Sequence, residues 1–384
     1  MKILVYGAGV LGSLYAWRLK EAGHEVALLG RGQRLADLRQ HGLVLKDMVT
    51  GQRATAAINL VEQLKPDEAY DLVLVMMGKH QVGSTLPSLA ANRHTPNVLF
   101  MGNNAAGPDE MVAALGPERV IQGFPLAGGT IKDHVVYYAA GMKNISARAV
   151  IGELDGSVTP RLQQIAAAFK SAGFDTSFCP NMDAWLKTHA MTILPLGAAY
   201  YGAGLDAGRM SRTRDALVLV VRAIREGLAV LRAWDIPILP PRQKIFAWLP
   251  EPLLVFMLSR MLQKEIYQYA LAHAPHMRPE LQRLAADFQA LRRAKSVPTP
   301  SLDRLCSLVD PSTPPIPEGS TTIPLDWRSV WAGLAVLGGL LFGLVWVRRQ
   351  LMRPSSDSRR QGKCLCCAGR CSRRAGCAKQ SVRD

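Results

Sequence analysis

Over the first 150 residues, apolar positions fall in short blocks separated by glycine-bearing turns. Ile3 to Tyr6 is apolar and bounded by Gly7, which predicts a buried strand. Val10 to Ala22 carries Leu11, Leu14, Tyr15, Trp17 and Leu19, the pattern of a helix packed on a sheet, and Gly23 stops it. Glu25 to Leu29 predicts a second strand, and 71–77 (DLVLVMM) and 97–101 (NVLFM) two more. Arg119 to Gly123 follows, then a more antiparallel-looking stretch at Val135 to Ala139 and Ala147 to Ile151. Residues 160–173 read as an amphipathic helix, and from Asp183 onward the periodicity is helical. It is clearest over Ala216 to Trp234, Gln243 to Gln263 and Arg278 to Lys295. The pattern predicts an α/β class, with a parallel-sheet domain over 1–180 and an all-helical domain over 181–310. A proline-rich linker, 311–326, is expected to be extended and unpacked.

The first turn narrows the fold. Strand, GAGVLG at 7–12, helix and strand follow in the order in which a Rossmann-type sheet binds a dinucleotide. Gly7 suits the tight turn, Gly9 the close approach of backbone to a pyrophosphate, and Gly12 close packing of helix on strand. The helix N-terminus offers free N–H groups and a positive dipole end. Gly7, Ala8, Gly9, Val10, Leu11 and Gly12 are therefore the predicted cofactor loop. An NAD site usually carries Asp or Glu at the end of the second strand. Here the chain reads Leu29-Gly30-Arg31. Arg31 can meet a 2′-phosphate bidentately, which predicts NADP(H).

Composition adds two points. The formal net charge is +16, but residues 348–384 supply +9 of it, so the folded body gives no case for nucleic acid binding. Only Cys179 and Cys306 of the seven cysteines lie in the body, which fits a reducing compartment. No signal peptide is expected at the start of the chain.

Residues 329–347, SVWAGLAVLGGLLFGLVWV, contain no charge and have Trp327, Trp331 and Trp346 near their ends. A transmembrane helix is predicted over 327–348, with the body cytoplasmic. The tail, 349–384, is basic and holds Cys364, Cys366, Cys367, Cys371 and Cys377. It reads as a disordered, solvated basic tail and not as a paired zinc site, with acylation of its cysteines as the other reading. Its charge opposes a simple span with a cytosolic body, because basic flanks stay inside. A segment that enters the interface without crossing is the other reading.

The segments GAGVLG, Arg31, MMGKHQV at 76–82, GNNAAG at 102–107, NMDAWLKTHA at 181–190 and VPTPSLDRL at 297–305 fall in the order of the ketopantoate reductase family, which this sequence resembles over residues 1 to about 310. That family reduces a 2-keto acid with NADPH. The resemblance implies that Lys79 sits by the cofactor and that Asn103 helps hold nicotinamide and substrate. It makes Lys187 the general acid that protonates the developing alkoxide. Glu280 and Ser259 are its candidates for the family's late acid and hydroxyl. The family's helix carries asparagines four and eight residues after the lysine. Met191 and Pro195 stand there instead, so two substrate-facing amides are missing. His80 and His189 have no ligand-spaced partners, and no metal site is expected.

The reading is an NADPH-dependent reductase of a 2-keto acid. Two alternatives stay open. One is an NADP-binding sensor or scaffold that has lost catalysis, and the other is a reductase of a different, more apolar ketone.

Overall fold

The computed structural model describes residues 1–140, 147–264 and 277–351. The tail reading therefore lies almost wholly outside the described residues. Met1–Ser329 form one compact unit. Its sheet region runs β1 (Lys2–Tyr6), α1 (Val10–Glu21), β2 (Glu25–Leu29), α2 (Gly32–His41), β3 (Leu43–Asp47), β4 (Arg53–Ala56), β5 (Asn59–Val61), β6 (Leu72–Val75), α3 (Lys79–Val82), α4 (Leu86–Ala91), β7 (Val98–Met101), α5 (Asp109–Leu115), β8 (Val120–Leu126), β9 (Gly128–Lys132), β10 (Val135–Ala139), β11 (Ala147–Gly152), α6 (Pro160–Ser171) and β12 (Phe174–Phe178).

Eight strands form the main sheet in the order β12-β11-β8-β7-β6-β1-β2-β5. All its pairings are parallel except β11 with β8. Its central strands β1, β6 and β7 are covered on both faces, which is why they read as unbroken apolar runs and not as alternations. One face carries the cluster around Tyr15, Phe169 and Phe174. The other packs Tyr6, Leu89, Phe100 and Met111. A second sheet, β4-β3-β10-β9, had no clear signal beyond the β10 run.

The helical region follows as α7 (Met182–Gly202), α8 (Ala207–Arg212), α9 (Arg214–Ala233), α10 (Ile245–Trp248), α11 (Glu251–Leu262), α12 (Arg278–Lys295) and α13 (Pro300–Ser307). Its core joins α7, α9, α11, α12 and α13 through Leu194, Val220, Leu258, Leu284 and Leu305. The single helix expected over 243–263 is instead a 3-10 turn followed by α10 and α11. Leu249 is extended before Pro250 (ψ 145°), because proline disfavours helical backbone in the residue before it.

The proline-rich segment corrects another expectation, because it is docked and not free. Ile316 is buried, and its N–H donates to the Gly202 carbonyl at 2.9 Å. The buried Asp215 carboxylate accepts from the Thr322 N–H, the Thr322 hydroxyl and the Ile323 N–H at 3.0, 2.7 and 2.9 Å. The Asp326 N–H donates to Glu251 at the start of α11, 2.9 Å away. The segment is a strap along the helical region. Helix α14 (Arg328–Leu351) follows it.

Candidate active site

Two clefts meet beyond the carboxyl ends of β1 and β6, the crevice where open α/β sheets bind ligands. The larger, about 960 Å³, is lined by Tyr6, Gly7, Ala8, Arg31, Gln33, Arg34, Gln81 and Ser84 among others. The smaller, about 230 Å³, is lined by Val10, Leu11, Met101, Asn103, Phe124, Met277 and Glu280 among others. Gly9, Met76, Met77 and Gly78 line both and so form the floor that joins them.

The three glycines divide their work as the spacing implies. Gly7 has φ +121°, and a methyl group there would stand 2.5 Å from the Met76 carbonyl oxygen. A methyl group on Gly12 would meet the Gly7 carbonyl oxygen at 1.8 Å. At Gly9 nothing lies within 4 Å of that position, so the backbone faces open cleft. No side chain caps the N-terminus of α1, and no acid stands in its first turn. Its N–H groups are left to an anionic ligand.

Arg31 precedes the first residue of α2 at the rim of the larger cleft. Its guanidinium donates to the Tyr6 hydroxyl at 2.6 Å and lies 5.6 Å from that ring's centre. Arg34, which the sequence reading passed over, lines the same cleft and is fully engaged. It donates to the Ala8 carbonyl (3.0 Å), the His134 carbonyl (3.1 Å) and the Ser13 hydroxyl (3.2 Å). Burial lowers its pKa, but a guanidinium starts so far above neutrality that Arg34 stays a cation. Arg34 is a strut for the glycine turn, and Arg31 is the one with freedom to turn toward a ligand. The signal for Arg34 was its place three residues after Arg31, on the first turn of α2.

At the other end, Asn103 and Glu280 come together. The Asn103 Nδ2 donates to Glu280 Oε1 at 2.8 Å, across 177 residues of sequence. The Asn103 Oδ1 is buried without a hydrogen-bond partner. It is an acceptor in want of a donor, such as the carboxamide N–H of a nicotinamide or a substrate hydroxyl. The open backbone at Gly9 and this acceptor fit a nicotinamide dinucleotide lying across both clefts. Gly7, Ala8, Gly9, Val10, Leu11 and Gly12 would hold its phosphates, and Asn103 its nicotinamide end.

The remaining predicted residues fall elsewhere. Lys79 is buried and lines neither cleft. Its ammonium pairs with Glu110 at 2.6 Å, beside a small cavity that also touches Asn103 and Asn104. Lys187 is buried on α7 and paired with Asp183 one turn before it. Both pack against Gly107 of the loop that carries Asn103. The Asp183 Oδ1 has no partner. Ser259 does not join the site, because its hydroxyl donates to the Ser211 carbonyl at 2.8 Å, between α11 and α8. Met191 is also turned away, buried in the helical core. His189 stacks on Trp185 at 5.1 Å and lies 4.2 Å from Phe124, which lines the smaller cleft. Burial lowers its pKa to about 4, so it is neutral at physiological pH. Among the described residues no group of three or more His, Cys, Asp or Glu side chains is placed to hold a metal.

Residues 3–156 match the family model described as ketopantoate reductase PanE/ApbA. The match places this N-terminal domain, though not the whole chain, with the ketopantoate reductase family. A 2-dehydropantoate 2-reductase of Pyrococcus horikoshii is 26% identical over 232 residues, which span 60% of this chain and 73% of that protein. Among solved structures, the 2-dehydropantoate 2-reductase of Geobacter metallireducens superposes with a TM-score of 0.67 at 18% identity, covering 82% of this chain and 100% of the other. A D-mandelate dehydrogenase solved with NADH and anilino(oxo)acetate gives a TM-score of 0.67 at 18% identity, covering 80% and 97%. At these identities the structures show the shared fold, which includes the helical region that the family model does not reach. The 2-dehydropantoate 2-reductases and the D-mandelate dehydrogenase that this chain resembles are oxidoreductases. Phe124 and Met277 of the smaller cleft were not anticipated. Both sit outside any motif, and only the folded chain brings them to Gly9.

Proposed function

We propose that this chain is an NADPH-dependent reductase of a small carbonyl compound, a 2-keto acid or a more apolar ketone, with Lys187 as the proton donor. The observation that carries the reading is the pair of clefts joined over Gly9, with the Asn103–Glu280 pair closing one end and Arg31 the other. The nicotinamide supplies the hydride. The protein's part is to hold the carbonyl at the floor formed by Met76, Met77 and Gly78, to orient it with Asn103, and to protonate its oxygen. Asp183 holds the Lys187 ammonium beside the Asn103 loop. Donation requires Lys187 to exchange Asp183 for the substrate oxygen, and a positioned general acid of this kind contributes about 10²–10⁴-fold.

One observation favours the apolar ketone. The smaller cleft is walled by Met76, Met77, Met101, Met277 and Phe124, and among the described residues its only charged lining residue is Glu280. Among the described residues, no lysine or arginine lines it to meet a substrate carboxylate. The buried cations nearby, Lys79 and Lys187, already have carboxylate partners. Methionine-rich walls accommodate varied apolar shapes.

Helix α14 completes the proposal. Residues 329–347 carry no charge and at 1.5 Å per residue are roughly 28 Å long, which matches a hydrocarbon core of about 30 Å. We take this helix as a membrane anchor with the body cytosolic.

The test is single-turnover oxidation of bound NADPH against 2-keto acids and neutral apolar ketones, in wild type and Lys187→Ala. Lys187→Ala is expected to leave cofactor affinity nearly unchanged and to slow the chemical step about 10²–10⁴-fold. An unchanged rate overturns the role of Lys187. No turnover by wild type across the panel favours the sensor.

A further inference from the structure

Large apolar side chains on the surface of the body are not spread evenly. Up to residue 326, the described ones outside one short stretch are Val49, Val158, Phe178 and Trp234, scattered singly. That stretch is 245–257, where Ile245, Trp248, Leu253, Phe256 and Met257 are all exposed, Trp248 at 77% and Phe256 at 62%. Leu253, Phe256 and Met257 share one face of α11 at helical spacing, and Trp248 ends the preceding α10. The opposite face of α11, with Leu254, Leu258 and Leu262, is buried in the helical core. A grouped apolar surface of this kind marks an interaction site, whereas single exposed residues do not.

The flanking charges indicate what covers it. Arg242, Lys244, Arg260 and Lys264 are exposed around this face. The stretch 240–264 holds one acid, Glu251, and that is buried and paired with Arg222. Apolar residues bordered by cations that have no acid partner among the described residues match an anionic lipid interface.

Chain connectivity gives a second, independent argument. The strap is fastened to Glu251 at the first residue of α11 through the Asp326 N–H. From Asp326 to Val330, in the apolar stretch, is four residues, which span at most about 14 Å. The chain that ties down the start of α11 therefore enters the apolar stretch within those four residues.

We propose that the face formed by Trp248, Leu253, Phe256 and Met257 is a second membrane contact, seated in the interface of an anionic bilayer beside the anchor. This rests on reading α14 as membrane-attached. Such a face would sit roughly 5–10 Å into the headgroup and acyl boundary. It would hold the body in one orientation at the surface and not leave it to swing on a tether.

The experiment uses the full chain in vesicles of phosphatidylcholine with and without phosphatidylglycerol, each with and without brominated acyl chains. The emission lost in Trp248→Phe isolates Trp248, and that lost in Trp346→Phe isolates the anchor. Both difference spectra are expected to be quenched by brominated lipid. Quenching at Trp248 should be stronger with phosphatidylglycerol, and the double substitution Phe256→Ser/Met257→Ser should abolish it while leaving Trp346 quenched. Quenching of Trp346 without Trp248 overturns the docking face and leaves the anchor standing. Quenching of Trp248 without Trp346 supports the face and overturns the anchor. Protein that fails to float with vesicles, with neither residue quenched, overturns both. A blue-shifted Trp248 that lipid does not quench, with chains cross-linking through Phe256→Cys, assigns the face to a second copy and overturns the lipid proposal.

Discussion

Replacing Arg31 by alanine tests the cofactor assignment most directly. Arg31 is exposed at the cleft rim and holds the Tyr6 hydroxyl. A 2′-phosphate would exchange that neutral acceptor for a dianion. A hydrogen bond to a charged group contributes about 1.5–3 kcal/mol, against about 0.5–1.5 for the neutral bond given up. The Tyr6 hydroxyl keeps the Ser88 hydroxyl at 3.2 Å, so releasing Arg31 does not strand it. The net preference is therefore about 1–2 kcal/mol, or roughly 5- to 30-fold in Kd. Exposure and salt place it toward the lower end. Titration of NADPH and NADH into wild type and Arg31→Ala should show NADPH favoured only in wild type, with NADH affinity little changed by the substitution. Tyr6→Phe should leave the preference intact. Arg34→Ala should weaken both cofactors together, because it removes three bonds that brace the Ala8 turn. Equal affinity of wild type for the two cofactors, or a parallel loss of both in Arg31→Ala, would refute the reasoning.

Two other predictions concern stability. His189 has its pKa lowered by burial from 6.5 to about 4, so its contribution is complete above 6.5 and is lost as pH falls toward 4, where the unfolded chain binds the extra proton. His189→Phe should flatten urea-denaturation midpoints across that window, and an unchanged pH slope would show that the ring is not the group responsible. At Asp215 burial alone would raise the pKa, but the bonds from Ile323 and Thr322 outweigh it and hold the carboxyl below its usual value. Asp215→Ala should cost about 1.5–3 kcal/mol at neutral pH. The deficit should shrink as acid titrates the wild-type carboxylate through its lowered value, and equal neutral-pH stability would mean the strap is held without it.

The sheet region was legible because its signals are local. A strand buried on both faces must be apolar throughout, and a turn that needs φ +121° at Gly7 must be glycine. The resemblance likewise brought Glu280 to attention, and α12 does deliver it to Asn103. What stayed hidden depends on contacts across long separations. Asp183 lies one turn before Lys187 and was within reach of helical spacing, but the partner of Lys79 is Glu110, 31 residues on, and nothing in periodicity points to it. The strap was misread for the same reason. Proline-rich composition predicts an extended backbone correctly, but its carbonyls and N–H groups found Arg209, Asp215 and Glu251 on helices some 75 to 110 residues earlier in the chain.

The missing asparagines call for a structural account, and Met191 supplies one. It stands one turn after Lys187, where the family resemblance expects an amide facing substrate, yet it is 1% exposed and lines neither cleft. A methyl group on Gly227 of α9 would meet its Sδ, Cβ and Cγ at 2.9, 3.0 and 3.1 Å. Methionine and glycine are thus a matched pair in the α7–α9 contact. Pro195, on the next turn, lacks the N–H that the Met191 carbonyl would otherwise accept. Restoring asparagine would therefore not restore a substrate contact. It would leave a void of the kind that costs about 2–5 kcal/mol in large-to-small core changes, and an amide whose unmet hydrogen bonds cost about 1–3 kcal/mol more. Met191→Asn should lower the unfolding free energy by several kcal/mol and leave the ranking of ketones in the turnover panel unchanged, while Met191→Leu should cost under about 1.5 kcal/mol. A stable Met191→Asn protein with new activity on a hydroxylated 2-keto acid would show that this position faces substrate after all. The expected outcome leaves substrate choice with the methionine walls of the smaller cleft, where Met101→Asn, and not Met191→Asn, is the change that should shift it toward polar ketones.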